Sequence, residues 1–323
     1  MLTIGIDLGG TKLLAVVADA AGTVMAEILH PSGDGAEAVL AGLAGAVDKL
    51  TRSGAGVEAV GVGVAGMVDF DGCVSYAPNI PGIEGLEVRT RLEEACGLPV
   101  AVDNDANVAA LAEVLHGAAR GCHEVLVLTF GTGIGGGIVT AGRVLRGGHG
   151  VAAEVGHFTI DPDGPPCACG GRGHWESFAS GTALGRMGRE WAARGEAPGV
   201  LARAGGDPAA VTGLVVGESA AAGEADGMAL LDAYAHWVAV GLGGLVNIFD
   251  PELVVVSGGL VTLGDLLLDR VRAELPAFVE APGHRVLPPV VAAALGHRAG
   301  AIGAAALARP LAEAATDARE GVE

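Results

Sequence analysis

Aromatic side chains are scarce in this 323-residue chain, only 3% of it, so its core has to be built from Ala, Val and Leu and from the tight turns that 55 glycines allow. Basic residues are scarce too. Nineteen Lys and Arg against 38 Asp and Glu leave a net charge of −19, and the basic residues nowhere gather into a stripe that could neutralise phosphodiesters. Nucleic acid is therefore excluded as an expected partner. Five cysteines (Cys73, Cys96, Cys122, Cys167, Cys169) are an odd number without a disulfide framework, which points to a reducing compartment. Met1-Leu-Thr-Ile-Gly lacks a basic lead and a cleavage pattern, and the long uncharged run Val125–Ala141 carries five glycines. Such runs read as buried hairpins and not as membrane spans, so the expectation is a cytoplasmic protein without a membrane partner.

What is present is an α/β pattern long enough for two domains. Leu2 to Asp7 alternates, breaks at Gly9-Gly10 and resumes from Lys12 to Ala18, which reads as a strand hairpin. Its turn, Asp7-Leu-Gly-Gly-Thr-Lys12, offers unobstructed backbone amides, the Thr11 hydroxyl and the Lys12 ammonium, which are the parts of a phosphate site. A strand follows where a Walker loop needs a helix. Gly131, Gly133 and Gly136 fit G-x-G-x-x-G, yet a strand follows again, so a dinucleotide fingerprint is excluded. Shifting the chain by 122 residues lays Leu8-Gly9 on Phe130-Gly131 and Val16-Val17 on Ile138-Val139. Two similar lobes, each with a Gly-rich hairpin, are expected to face a nucleotide.

Helices are expected over 35–53, 86–94, 108–116, 180–194, 228–247, 262–274 and 300–308, with fraying from Glu313, and a last strand over 286–293. The Ala/Gly-rich stretch 195–225 has little period. Asn79 sits in a proline-fenced loop, Pro78-Asn-Ile-Pro-Gly82. Asp103-Asn-Asp-Ala-Asn107 follows a short strand, so it either brings ligand groups and a general base to the carboxyl edge of a sheet or caps a helix. Gly258-Gly259, between a strand and a helix, can admit the flat face of a base.

The densest chemistry lies between Glu154 and Glu176. His157, Cys167, Cys169 and His174 fall within 18 residues, with glycines between them and the two glutamates just outside. Two thiolates and two imidazoles would neutralise and close a zinc site. The plain alternative is a surface loop with incidental cysteines.

Asp7-Leu-Gly-Gly-Thr-Lys12, Pro78-Asn-Ile-Pro-Gly82, Asp103-Asn-Asp-Ala-Asn107, Gly131-Thr-Gly-Ile-Gly-Gly-Gly137, Glu154-Val-Gly-His157, Cys167-Ala-Cys-Gly170 and Glu176 together resemble the ROK family of sugar kinases and repressors, and within it the bacterial ATP-dependent glucokinases. The resemblance spans nearly the whole chain. It implies the actin-like ATPase (ribonuclease H-like) fold, with a small domain from 1–106 plus about 297–323, a large domain over 107–296 and a cleft between them. It implies Asp105 as the base for the sugar 6-hydroxyl, and Asn79, Asn104, Glu154, His157 and Glu176 around the other hydroxyls. Asp7, Gly9, Gly10, Thr11, Lys12, Thr132 and Gly133 would surround ATP and Mg²⁺, with Gly258 and Gly259 near the adenosine. His157, Cys167, Cys169 and His174 would hold structural Zn²⁺. The family has a third cysteine where this chain has His174; zinc accepts either ligand.

The activity so implied is transfer of phosphate from ATP to glucose, giving glucose 6-phosphate, by a homodimer or homotetramer. Kinases for other hexoses or N-acetylhexosamines, polyphosphate donors and non-catalytic sugar-sensing regulators are the alternatives. A repressor of the family carries a helix-turn-helix ahead of the first phosphate loop, which here starts at residue 7.

Overall fold

A computed structural model describes residues 1–52 and 56–320, with side chains described as far as residue 314. In chain order the elements are β1 (Leu2–Leu8), β2 (Lys12–Asp19), β3 (Val24–Pro31), α1 (Ala36–Thr51), β4 (Val57–Val64), β5 (Met67–Val68), β6 (Val74–Tyr76), α2 (Val88–Cys96), β7 (Val100–Asn104) and α3 (Asp105–His116). There follow β8 (Val125–Phe130), β9 (Ile134–Thr140), β10 (Arg143–Val144), α4 (Glu176–Ala179), α5 (Gly181–Ala193), α6 (Pro198–Arg203), α7 (Gly213–Ala221), α8 (Ala225–Phe249), β11 (Leu253–Ser257), α9 (Asp265–Glu274), β12 (Val290–Ala292) and α10 (Ala299–Glu320).

The chain forms two compact units, neither of them one continuous stretch. The first comprises 1–123, 137–153 and 294–323; the second comprises 124–136 and 154–293. Against the expected boundary after residue 106, the first unit also holds α3, because α3 packs on α10.

In the first unit the sheet order is β3-β2-β1-β4-β7, with β1 antiparallel to β2 and parallel to β4. Strand alternation decides its two faces. Ile4, Ile6 and Leu8 join Val60, Val62 and Val64 against the apolar stripe of α1, Val39, Leu43, Val47 and Leu50. Thr3, Gly5 and Asp7 point the other way, toward α10. A Cβ on Gly5 would lie 1.9 Å from the Ala301 carbonyl oxygen, and one on Gly61 1.8 Å from that of Ala304. Helix and sheet therefore meet backbone to backbone, and the Thr3 hydroxyl donates to the Ala305 carbonyl at 2.8 Å.

The second sheet has the order β10-β9-β8-β11-β12, again a hairpin strand beside parallel strands, with β11 parallel to both β8 and β12. The 122-residue shift carries β1 onto β8 and β2 onto β9, so the internal repeat expected from the sequence is a repeat of topology. The core of the second unit is α8, packed on α7 and α9 and burying Leu230, Leu231, Tyr234, Val238 and Leu242. Among the described residues α8 is the one helix long and apolar enough to cross a membrane, and 61% of its most apolar window is buried within the protein.

Four expectations about elements need correction. The stretch 195–225 contains α6 and α7; α6 starts on Pro198, and the Asp226 carboxylate accepts from the Gly199 and Val200 amides at 2.6 and 3.1 Å. The last strand covers only Val290–Ala292, because Pro288 and Pro289 have no N–H for the ladder. Before α9 the chain makes a 3₁₀ turn over Gly259–Leu263, so the expected helix begins at Asp265. Finally α10 runs past Pro310 to Glu320, where fraying was expected from Glu313.

Candidate functional site

In the first unit the β1–β2 turn leads from half-buried Asp7 to exposed Thr11 and Lys12. Buried Ser32 holds this turn by donating from its hydroxyl to the Gly9 carbonyl. A Cβ on Gly10 would lie 2.4 Å from the Asn79 carbonyl oxygen, so the proline-fenced loop lies directly against the phosphate-type turn. Burial pushes the Asp7 carboxyl up to about 6, against the opposing pull of the Lys12 ammonium. A carboxylate so poorly solvated is a good ligand for a hard cation, and Mg²⁺ fits it.

The Asp103–Asn107 segment separates into distinct roles. Helix α3 begins at Asp105, three residues before the expected start at Val108, because Asn104 caps it: its Oδ1 accepts from the Ala106 and Asn107 amides at 2.8 and 3.1 Å, while its Nδ2 donates to the Gly66 carbonyl at 3.0 Å. One amide hydrogen of Asn104 remains to meet a ligand. Asp103 is only 4% exposed, accepts from the Asn104 amide and Asn107 Nδ2, and is paired with Arg146. Asp105 is half-buried in the first turn of α3, where its Oδ1 also accepts from the Ala106 amide at 2.9 Å. Of the two acids, Asp105 is the more exposed and Asp103 the one buried in an ion pair.

In the second unit the chain from Phe158 to Trp175 folds back on itself through bridges between Thr159 and His174 and between Pro166 and Arg172. A tight turn, with the Cys167 amide donating to the Gly171 carbonyl and the Gly170 amide to the Cys167 carbonyl, brings the cysteines onto the histidines. The ligand atoms of His157, Cys167, Cys169 and His174 all lie within 4.8 Å of one another. Cys167 Sγ is 3.7 Å from His157 Nδ1, and Cys169 Sγ is 3.2 Å from His174 Nδ1. Bonds of about 2.3 Å to sulfur and about 2.0 Å to nitrogen place tetrahedral neighbours roughly 3.3–3.8 Å apart, so these two pairs are at or near zinc spacing and the four-donor cluster is compatible with Zn²⁺. His174 turns inward with the others.

Glu176 opens α4 beside this cluster. Its Oε2 accepts from the Ile134 amide at 2.9 Å, and its Oε1 is 3.7 Å from Cys167 Sγ. Glu154 stands just before the turn that carries His157; burial pushes its carboxyl up, the Glu176 charge adds to this, and His157 opposes it. The structure thus brings Glu154, His157 and Glu176 together against the second glycine turn. Thr132 is exposed on that turn, and a Cβ on Gly133 would lie 2.1 Å from Glu176 Oε2. Gly258, at φ 101°, leaves no room for a side chain, since a Cβ would lie 2.2 Å from the Phe130 carbonyl oxygen; Gly259 beside it is exposed.

Several supporting residues escaped the sequence reading. The Thr182 hydroxyl donates to the Thr132 carbonyl at 2.7 Å and the Gly181 amide to the Gly131 carbonyl at 2.8 Å, pinning the second glycine turn to the start of α5. Trp175 is fully buried, with its indole donating to the Trp237 carbonyl at 2.8 Å, and so anchors Glu176. Its scarcity in the sequence was a signal. Ser32 and Arg146 carried none.

The family model for the ROK family matches residues 3–310. The chain is 40% identical over 310 residues to a glucokinase of Streptomyces coelicolor, spanning 95% of this chain and 98% of that protein. It is also similar to the crystal structure of a ROK family glucokinase from Streptomyces griseus in complex with glucose and AMPPNP, with TM-score 0.85, 38% identity and coverage of 96% of this chain and 100% of that one. A ROK family transcriptional regulator, homologous to the MLC protein of E. coli, matches with TM-score 0.81 and 25% identity over 96% of this chain and 78% of that one.

Proposed function

The chain belongs to the ROK family, and from that premise we propose that it is an ATP-dependent glucokinase, transferring the γ-phosphoryl group of ATP to the 6-hydroxyl of glucose, on an actin-like ATPase fold. The observation that carries the reading is the sorting of the two acids at the end of β7. Asp103 is buried in an ion pair with Arg146, while Asp105 remains half-buried in the first turn of α3.

Asp105 takes the proton from the sugar hydroxyl as that oxygen attacks, so Asp105 is the catalytic base. Phosphoryl transfer otherwise asks for position and charge neutralisation. Asn79, Asn104, Glu154, His157 and Glu176 hold the remaining hydroxyls. Gly9, Gly10, Thr11, Lys12, Thr132 and Gly133 receive the triphosphate through backbone amides, a hydroxyl and one ammonium, as an acidic protein must. Mg²⁺, held by Asp7, supplies charge neutralisation at the phosphates when bound. Gly258 and Gly259 lie along the adenosine. His157, Cys167, Cys169 and His174 would hold Zn²⁺ as a structural ion, four protein donors closing its site, and would thereby set the segments carrying Glu154 and Glu176. The protein acts in the cytoplasm as a homodimer or homotetramer.

A coupled assay of purified protein across hexoses and N-acetylhexosamines, each with ATP and with polyphosphate, tests this. Glucose with ATP is expected to give the highest kcat/KM. Turnover confined to an N-acetylated sugar or to polyphosphate would sink the glucose or the ATP assignment, and sugar binding without turnover would make the protein a sensing regulator. Asp105→Ala is expected to lose at least about 10³-fold in kcat.

A further inference from the structure

Asp103 is more deeply buried than Asn104 or Asp105, yet it is the residue for which the proposed reaction has no use. It emerges from β7 with both oxygens engaged. Oδ1 accepts from its neighbour's amide, that of Asn104, at 2.8 Å and from Asn107 Nδ2 at 2.9 Å, and Oδ2 meets Arg146 Nε at 2.5 Å. Asn107 is 1% exposed and its own Oδ1 has no hydrogen-bond partner in the protein, so its amide is held in place by the bond to Asp103. Arg146 lies 43 positions along the chain, just beyond β10, and its carbonyl accepts from the Ala152 amide at 3.2 Å. Buried carboxylates are costly unless paired, and a fold that needed only a cap for α3 already has one in Asn104.

We infer that Arg146, Asp103 and Asn107 form a positioning relay that fixes the first turn of α3, and with it the carboxylate of Asp105, relative to the segment running from β10 toward Glu154. The inference rests on Asp105 being the base. The relay acts at both ends of that turn: Asp103 grips the Asn104 amide just before Asp105 and the Asn107 side chain just after it. Arg146 holds Asp103 from outside, through a planar guanidinium whose Nε reaches the carboxylate, its side chain as a whole being about a third exposed. Arg146 touches no reacting atom in this scheme; it acts through Asp103 and the turn. Misplacement of a base by a fraction of an ångström is felt in kcat, whereas the phosphate turn at Gly9–Lys12, which the relay does not touch, keeps its hold on the nucleotide.

The test uses the full-length protein and the variants Arg146→Gln, Arg146→Lys, Asp103→Asn and the Arg146→Gln/Asp103→Asn pair, with kcat, KM for each substrate and the thermal midpoint measured for all. Arg146→Gln and Asp103→Asn are each expected to lower kcat by about 30-fold or more with KM for ATP within about twofold, the double variant being no worse than the poorer single one because the groups work as a unit. Arg146→Lys keeps the charge but not the fork and is expected to recover only part of the loss. A folded Arg146→Gln variant with kcat within about threefold of the parent, or losses that multiply in the double variant, would overturn the relay. So would equal rises in both KM values tracking a lowered thermal midpoint, since that marks a merely structural pair. Should Asp103→Asn fail to fold, the two Arg146 variants, altered at the exposed end, decide the matter. Asp105→Ala run alongside separates the two layers: an active Asp105→Ala refutes the base, whereas an inactive Asp105→Ala beside a fully active Arg146→Gln refutes the relay alone.

Discussion

Asp7, the residue proposed to hold Mg²⁺, opposes the stability of the fold that carries it. It sits on the strand face that meets α10, where a Cβ on Gly300 would lie 2.7 Å from its carboxyl, and burial lifts it to about 6 from 3.8. The folded chain therefore binds more protons than the unfolded chain between roughly pH 4 and 6, so the Asp7 contribution to stability falls as pH rises through that window and is a net cost above it. That cost is on the order of 3 kcal/mol at neutral pH. Asp7→Asn is expected to raise the urea midpoint of the ligand-free protein at pH 7.5, to flatten the decline between pH 4 and 6, and to impair turnover. A lower midpoint at pH 7.5 would contradict the account. The turn that carries Asp7 was legible in the sequence as a glycine-rich phosphate-type hairpin, whereas the metal-holding role proposed for Asp7 came from the family resemblance alone. Arg146 was not legible, because its partner lies 43 positions away and nothing local marks the pair.

At the scale of elements, the chain announced whatever its local chemistry decides. Both hairpins with their glycine turns, helix α1 with its apolar stripe and the zinc-type loop could all be read from spacing. Helix α6 could not, since the group that caps it is the Asp226 carboxylate from the start of α8. Nor could the start of α3, where cap and ligand are equally good uses for Asn104 until the Ala106 and Asn107 amides are seen on its oxygen. The loop from His157 to His174 yields the prediction proper to this scale. With two thiolates instead of three, a Zn²⁺ site carries no net negative charge and should release metal more readily than a three-thiolate site. His174→Cys is expected to slow zinc loss to a chelator by about tenfold or more while leaving glucose affinity unchanged. Verified zinc removal from the parent protein is expected to weaken glucose binding by calorimetry about tenfold or more, because Glu154 and Glu176 flank the cluster. Unchanged glucose affinity after metal removal would show that the loop holds its shape unaided.

For the whole molecule, the division of the chain into interleaved segments has a consequence for folding. The first unit takes its sheet from residues 1–104 and completes it with α10, almost 200 residues later. That helix is no accessory. Ala301 and Ala305 cover Leu14, Val16 and Ala18; Ala308 and Ala312 cover Ala59; and the Gly5 and Gly61 contacts admit backbone and nothing larger. On Gly303 a Cβ would lie 1.7 Å from the Val108 carbonyl oxygen, so α3 is fitted to α10 as closely as the sheet is. A fragment spanning residues 1–123 thus contains every strand of its sheet and α3, which packs on β4 and β7, yet leaves the part of that face which α10 covers, and the α10 side of α3, exposed, and small domains have little stability to lose. Such a fragment is expected to keep helical and strand signals in far-ultraviolet dichroism but to lack dispersed amide resonances, as in a compact state without fixed packing. In the full chain, Gly61→Ala is expected to be destabilising by more than about 3 kcal/mol, because a backbone carbonyl cannot rotate aside as a side chain can. A dispersed spectrum from the isolated 1–123 fragment, or a folded Gly61→Ala protein with an unchanged denaturation midpoint, would show that α10 lies on the sheet without being part of its core.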